Sequence, residues 1–202
     1  MPSNTLSLCL LNLLAIAIAA AYDSHFDLNA AKRYVTLCGA SYCTDPAVQP
    51  QKNSIDDWSC KACQAYPNIV ATTFHSATHT DANGFVGYDS DANEVIVAFA
   101  GTNPLSIQNW IDDLDMIQTD YPLCPGCKVH EGFYRSYNSV RDTVRGLIDS
   151  YREKHQNATL AITGHSLGAA MAAHCGADLD HLGYKISTTY TYGMPRVGEA
   201  LS

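Results

Sequence analysis

The residues best suited to chemistry in this sequence are Gly164-His165-Ser166-Leu167-Gly168, a Gly-x-Ser-x-Gly pattern. A serine hydroxyl is a weak nucleophile by itself. It becomes a strong one when a tight bend lifts it clear of its neighbours and presents it to a base and to amide hydrogens that hold an oxyanion. The pattern delivers that bend where a buried strand runs straight into a helix. Ala158 to Thr163 reads as such a strand, and the Ala-rich segment that follows, through Leu182, reads as the helix. Glycine is needed at 164 and 168 because side chains there would meet the adjoining strand and helix. Ala169, Ala170, Ala172 and Ala173 let that helix approach a sheet closely. The alternative is a helix-capping serine in a Gly-rich turn. The flanking strand and helix favour Ser166 as a nucleophile.

An oxyanion needs two donors. One is the backbone N–H of Leu167, at the positive end of the helix. The other should come from a loop after an earlier strand. Phe99-Ala100-Gly101-Thr102-Asn103 stands in that place, and Thr102 can offer its N–H while its hydroxyl donates or steadies the loop. An ordinary turn is the alternative. Just beyond, Ile107, Trp110, Ile111 and Leu114 fall at i, i+3, i+4 and i+7, with Gln108, Asn109, Asp112 and Asp113 on the other face. Asn103 could cap this helix, with Pro104 in its first turn. Such a lid covers a site in water and rolls open at a lipid surface. The alternative is a surface helix packed permanently on the core.

The elements that must position these residues read as α/β. Tyr22 to Val35 is expected as a helix with Leu28, Ala31 and Val35 on one face. Residues 38–80 read as loops. Gly84–Asp89 and Glu94–Ala100 read as a hairpin through Ser90 to Asn93, the second strand apolar enough to be covered on both faces. Residues 131–155 form a helix with Val140, Val144, Leu147, Ile148 and Tyr151 on its inner stripe, and Ser187–Tyr192 is a last strand. The alternation of strands and helices implies an α/β fold.

The protein has 202 residues, enough for one domain, of which 47% are hydrophobic and 16% charged. A net charge of -8 with no Lys/Arg run argues against a nucleic-acid partner. Leu6 to Ala21 is apolar, interrupted by Asn12, and ends in Ala17-Ile18-Ala19-Ala20-Ala21. It reads as a signal peptide cleaved near Ala19 or Ala21, although no basic residue precedes it. The rival reading, a transmembrane anchor, needs about 20 apolar residues. The expected organisation is therefore a signal peptide at 1–21 and one domain at 22–202, secreted or in the secretory-pathway lumen.

Eight cysteines are present; Cys9 would leave with the signal peptide. In an oxidising compartment the other seven point to disulfides, with one left unpaired. The Cys60/Cys63 and Cys124/Cys127 pairs lie too far apart for the usual four-cysteine zinc spacing, so no metal is expected. Both are candidate local disulfides. Cys175 could be a buried thiol. Asn157-Ala158-Thr159 is the one glycosylation sequon.

Five blocks, in order, resemble the fungal-type class 3 triacylglycerol lipases and their feruloyl esterase relatives. Val97 to Thr102 resembles the oxyanion strand and loop, and Ser106 to Leu114 the lid. Cys124 to Phe133 resembles a small disulfide loop with the following His-x-Gly-Phe. Thr163 to Gly168 resembles the elbow, and Tyr192 to Gly198 the strand and Pro-Arg-Val-Gly after it. The resemblance covers roughly 80–202. It implies an α/β-hydrolase fold with a mixed, mostly parallel central sheet, Ser166 as nucleophile, and Thr102 and Leu167 as oxyanion donors. Ala100 departs from the Arg of many relatives. Cys43 resembles a cysteine that pairs near the family's C-terminus; pairing with Cys38 is the alternative.

The hydrolase triad runs Ser, then Asp or Glu, then His. After Ser166 come only His174, His181, Asp178, Asp180 and Glu199, on or beyond the helix leaving the elbow. His130 precedes the nucleophile and, by the resemblance, is structural; His165 reads as a packed turn residue. The acid and base are therefore expected beyond Ser202. On that expectation the domain is truncated at its C-terminal end, and the 187–192 strand is left as an open edge. The leading function is hydrolysis of lipid esters at a lipid–water interface through an acyl-enzyme, without a cofactor. Two alternatives are an esterase on soluble or plant-wall esters and a catalytically inactive truncated fragment.

Overall fold

The computed structural model describes residues 26–44, 55–78, 80, 82–101 and 117–199. The protein divides into two compact units, 1–32 and 33–202. The first contributes residues 26–32, in which Asp27 caps the helix α1 (Leu28–Ser41) by accepting from the amides of Asn29 at 2.8 Å and Ala30 at 3.1 Å. The expected signal peptide lies outside the described residues.

In the second unit, β1 (Ile69–His75), β2 (Asn83–Asp89), β3 (Glu94–Phe99), β6 (Thr159–His165) and β7 (Thr188–Tyr192) form a sheet in the order β1-β2-β3-β6-β7. β1 and β3 each pair antiparallel with β2, while β3, β6 and β7 pair in parallel, so all strands but β2 run the same way. A separate ribbon of β4 (Gln118–Asp120) and β5 (Lys128–His130) precedes α2 (Glu131–Lys154), and α3 (Leu167–His181) follows β6.

Two helices cover one face. Val95, Val97 and Phe99 of β3 and Leu160 and Ile162 of β6 pack with Phe133, Tyr137, Val144 and Ile148 of α2 and with Ala170 and Met171 of α3. Side chains alternate along a strand, so Thr163 faces the other way, where its hydroxyl meets Cys38 Sγ of α1 at 3.0 Å. Every residue of β3 is buried, as a strand covered on both faces should be. At its N-terminal end, Arg33 binds Asp89 and Glu94 at 2.8 Å each, and Tyr34 donates to Glu94 at 2.9 Å.

Two expectations need correction. α1 runs on to Ser41, and its buried face is Tyr34, Leu37, Cys38 and Ser41; Leu28 and Val35 are 53% and 45% exposed. The inner face is partly polar in composition, which hides it from an apolar-stripe reading. Residues 38–80 are not all loop, because β1 lies within them. Its Ile69, Ala71 and Phe74 are buried, but Val70 is 67% exposed, which blurs the alternation. The β4–β5 ribbon is not legible in the sequence either, its strands being three residues each.

Candidate active site

β6 delivers the backbone to Ser166 inside the core, and α3 leads it away. At Ser166 the backbone takes φ 55° and ψ -124°, a left-handed conformation that a residue with a Cβ adopts only under constraint. The constraint is visible on both sides. The Ser166 amide donates to the Tyr192 carbonyl of β7 at 2.9 Å, and its carbonyl accepts from Ala169 at 3.0 Å and Ala170 at 3.2 Å. Its side chain makes no capping hydrogen bond, which sets aside the cap reading. A methyl on Gly164 would overlap the Gly168 carbonyl, and a methyl on Gly168 would overlap the carbonyl of Phe99. Glycine at both positions lets the bend close and α3 sit directly on the end of β3. Ala169, Ala170 and Ala172 are fully buried in that contact.

The exit of β3 is brought beside this bend. A Cβ on Gly101 would stand 3.3 Å from Ser166 Cβ and would clash with the His165 carbonyl. Gly101, at the exit of β3, thus stands alongside the serine side chain. Leu167 opens α3, where first-turn amides lack intrahelical acceptors and carry positive partial charge. Thr102 and the lid residues Ile107, Trp110, Ile111 and Leu114, with Asn103 and Pro104, lie outside the described residues.

The histidines separate by role. His165 Nδ1 lies 2.7 Å from the Tyr42 hydroxyl. His174 is 3% exposed and ringed by Tyr121, Tyr134 and Tyr137; burial, then nearby His130, lowers its pKa to about 4. His130 accepts from the Phe133 amide at 3.4 Å as the cap of α2 and stacks on the Phe133 ring. Asp178 accepts from Tyr137 at 2.7 Å. Each of these groups is engaged within the core or the helix ends.

Cys60–Cys63 and Cys124–Cys127 are separate disulfides, which removes them as joint zinc ligands. Cys38, Cys43 and Cys175 are free thiols, so Cys38 does not pair with Cys43. Burial pushes the Cys38 thiol up to about 11 and Cys175 further still. Among the described residues, no group of three or more His, Cys, Asp or Glu is placed to hold a metal ion. None of the described helices is long and apolar enough to cross a membrane. Asn157 is exposed in the turn between α2 and β6. Tyr42 also belongs to the site's surroundings, although in the sequence it stands out only as the neighbour of Cys43.

A strained serine on a tight bend between a buried strand and a helix, seated on the exit of a parallel strand, places this chain among α/β domains. Residues 96–201 match the family model for Lipase (class 3), and the chain belongs to that family. It is 34% identical over 149 residues to the secreted mono- and diacylglycerol lipase A of Penicillium camembertii, covering 74% of this chain and 48% of that one. Identity to a lipase of Rhizomucor miehei is 33% over 178 residues, covering 86% and 47%. A solved triacylglycerol lipase whose catalytic centre is a serine-protease triad superimposes with a TM-score of 0.74 at 32% identity, over 85% of this chain and 63% of the other. The fold is the α/β-hydrolase fold of these lipases. The chain spans about half the length of the curated relatives it matches.

Proposed function

We propose that this protein carries the nucleophile and oxyanion hole of a secreted lipid-ester hydrolase. Ser166 Oγ attacks the ester carbonyl while a histidine takes its proton. The Leu167 and Thr102 amides hold the oxyanion as the tetrahedral intermediate forms. The same histidine then protonates the departing alcohol, and water releases the acyl group from Ser166. The acid and histidine of the triad belong, on this reading, to the part of the family's length beyond residue 202. The chemistry as written needs no metal or organic cofactor. The observation that carries the reading is the backbone of Ser166, held at φ 55° beside Gly101.

Lipid as substrate is supported by family membership and by the one-sided stripe Ile107, Trp110, Ile111 and Leu114. Secretion is supported by the apolar leader, the two disulfides and the secreted Penicillium relative. The test treats the protein expressed from its own gene, whole triad included, with a fluorophosphonate probe, emulsified triacylglycerol and a soluble short ester. Wild type should be labelled and Ser166→Ala should not. Trp110→Ala should lose more activity on the emulsion than on the soluble ester. Equal losses on both would leave an esterase with no interfacial lid, and labelling of Ser166→Ala would overturn the nucleophile.

A further inference from the structure

β3 and β6 are paired up to Phe99 and Gly164; beyond them no backbone ladder joins the exit of β3 to the elbow at Ser166. The next amide on the β3 side, Ala100, donates to the Asn83 carbonyl at the start of β2, away from the elbow. Something else must set the gap between Gly101 and the residues around Ser166, because catalysis is sensitive to displacements of an ångström at the reacting centre.

One side chain spans that gap. Tyr42 stands in the 3-10 turn Tyr42–Thr44 that ends α1. The turn is anchored on β2, since Thr44 Oγ1 donates within bonding distance of both Asn83 Oδ1, at 2.6 Å, and the Ser41 carbonyl, at 2.7 Å. From this footing the phenol reaches into the corner between Gly101 and His165. The Tyr42 oxygen lies against the backbone of Gly101, and His165 Nδ1 lies 2.7 Å from it. A Cβ on Gly101 would collide with the Tyr42 hydroxyl, so glycine there is what allows the approach.

The proton inventory gives the bond a direction. A phenol has one hydrogen to donate and lone pairs to accept with. Donating that hydrogen to His165 Nδ1, with its lone pairs toward the Gly101 backbone, requires the imidazole hydrogen on Nε2. That nitrogen faces Gly193, where an added Cβ would stand 3.5 Å from it. Burial raises the Tyr42 pKa above its ordinary value, so the donated proton stays in place near neutral pH.

We propose that Tyr42 is a positioning residue for ester hydrolysis at Ser166: its hydroxyl pins Gly101, where the oxyanion loop begins, to His165, the residue before the nucleophile. The proposal rests on the reading of Ser166 given above. The bond sets where Gly101 stands against the elbow and touches neither substrate nor reacting atom. Its loss therefore falls on stabilisation of the charged intermediate and not on ground-state binding.

The test uses the protein expressed from its own gene, with p-nitrophenyl butyrate as substrate and a fluorophosphonate to count active sites, so that misfolded material is divided out. Tyr42→Phe should lower kcat per titrated site about tenfold with KM little changed, less than the roughly 10²–10³ that deletion of an oxyanion donor costs. Inhibition by a trifluoromethyl ketone, whose adduct bears the oxyanion, should weaken in the same proportion. His165→Asn, which keeps an acceptor near the Nδ1 position, should retain more kcat than His165→Leu. Equal per-site kcat and equal ketone affinity in Tyr42→Phe and wild type would overturn the brace. If Tyr42→Phe yields no titratable sites, the two His165 variants decide, and identical kcat in both overturns it. Full hydrolysis by Ser166→Ala would instead overturn the hydrolase reading, and the brace with it.

Discussion

Replacing Gly168 by Ala puts one methyl group against the carbonyl of Phe99 and both carbonyl atoms of Ala100, all of them backbone. Flexible side chains could swing aside; the exit of β3 cannot, so α3 must retreat. Overpacking of this kind costs about 1–3 kcal/mol, and a methyl opposed by backbone belongs at the top of that range, about 3 kcal/mol. With a urea slope of about 2 kcal/mol/M, the unfolding midpoint should fall by about 1.5 M. The retreat also moves Ser166 and the Leu167 amide away from Gly101. A displacement of about 1 Å at the reacting centre predicts a loss of about 100-fold in kcat per titrated site. Gly146→Ala is the control: it lies inside α2, nothing lies within 4 Å of the added methyl, and stability should rise by the ~0.5–1 kcal/mol of helix propensity, a midpoint about 0.25–0.5 M higher. Urea titration followed by circular dichroism, with titrated ester hydrolysis on the same samples, reads both effects. A Gly168→Ala protein with wild-type midpoint and wild-type kcat would refute the seating of the elbow on β3.

Three other perturbations probe separate parts of the molecule. The His174 pKa is lowered from 6.5 to about 4, so the unfolded state takes up the proton first and stability drops as pH falls from about 6.5 to 4. The full loss is about 3 kcal/mol at 1.36 kcal/mol per pKa unit, and His174→Leu should flatten that stretch of a thermal-stability-against-pH curve. Arg33→Ala strands the buried carboxylates of Asp89 and Glu94 and should cost about 3 kcal/mol in denaturant unfolding, the low end for breaking a buried pair because Arg33 is partly exposed. The exposed sequon at Asn157 should carry a glycan in the secreted protein; Asn157→Gln should abolish the shift in gel mobility caused by a glycosidase while leaving hydrolysis per site intact, because Ser166 follows the opposite end of β6.

The parts of this protein legible in its sequence are those whose physics is local. Two glycines four residues apart, an apolar strand before them and alanines after them dictate a cramped bend at Ser166, because the limiting contact, Gly164 against Gly168, lies within the motif itself. The unbroken apolar run of β3 and the stripe of α2 announce their burial in the same way. What only the tertiary structure decided depends on partners distant in sequence. The inner face of α1 is buried by Tyr190, Thr163 and the Asp89–Glu94 pair, so Tyr34 and Cys38 turn inward while Val35 stays outside. β1 is a strand because β2 offers it a ladder, not because its own alternation is clean. Tyr42 meets Gly101 and His165 only after three separate segments converge at the sheet's edge of exit, and no spacing within any one of them encodes that meeting. Steric limits act over a few residues and leave a local pattern, whereas hydrogen bonds closed by folding join residues whose separation in sequence has no period.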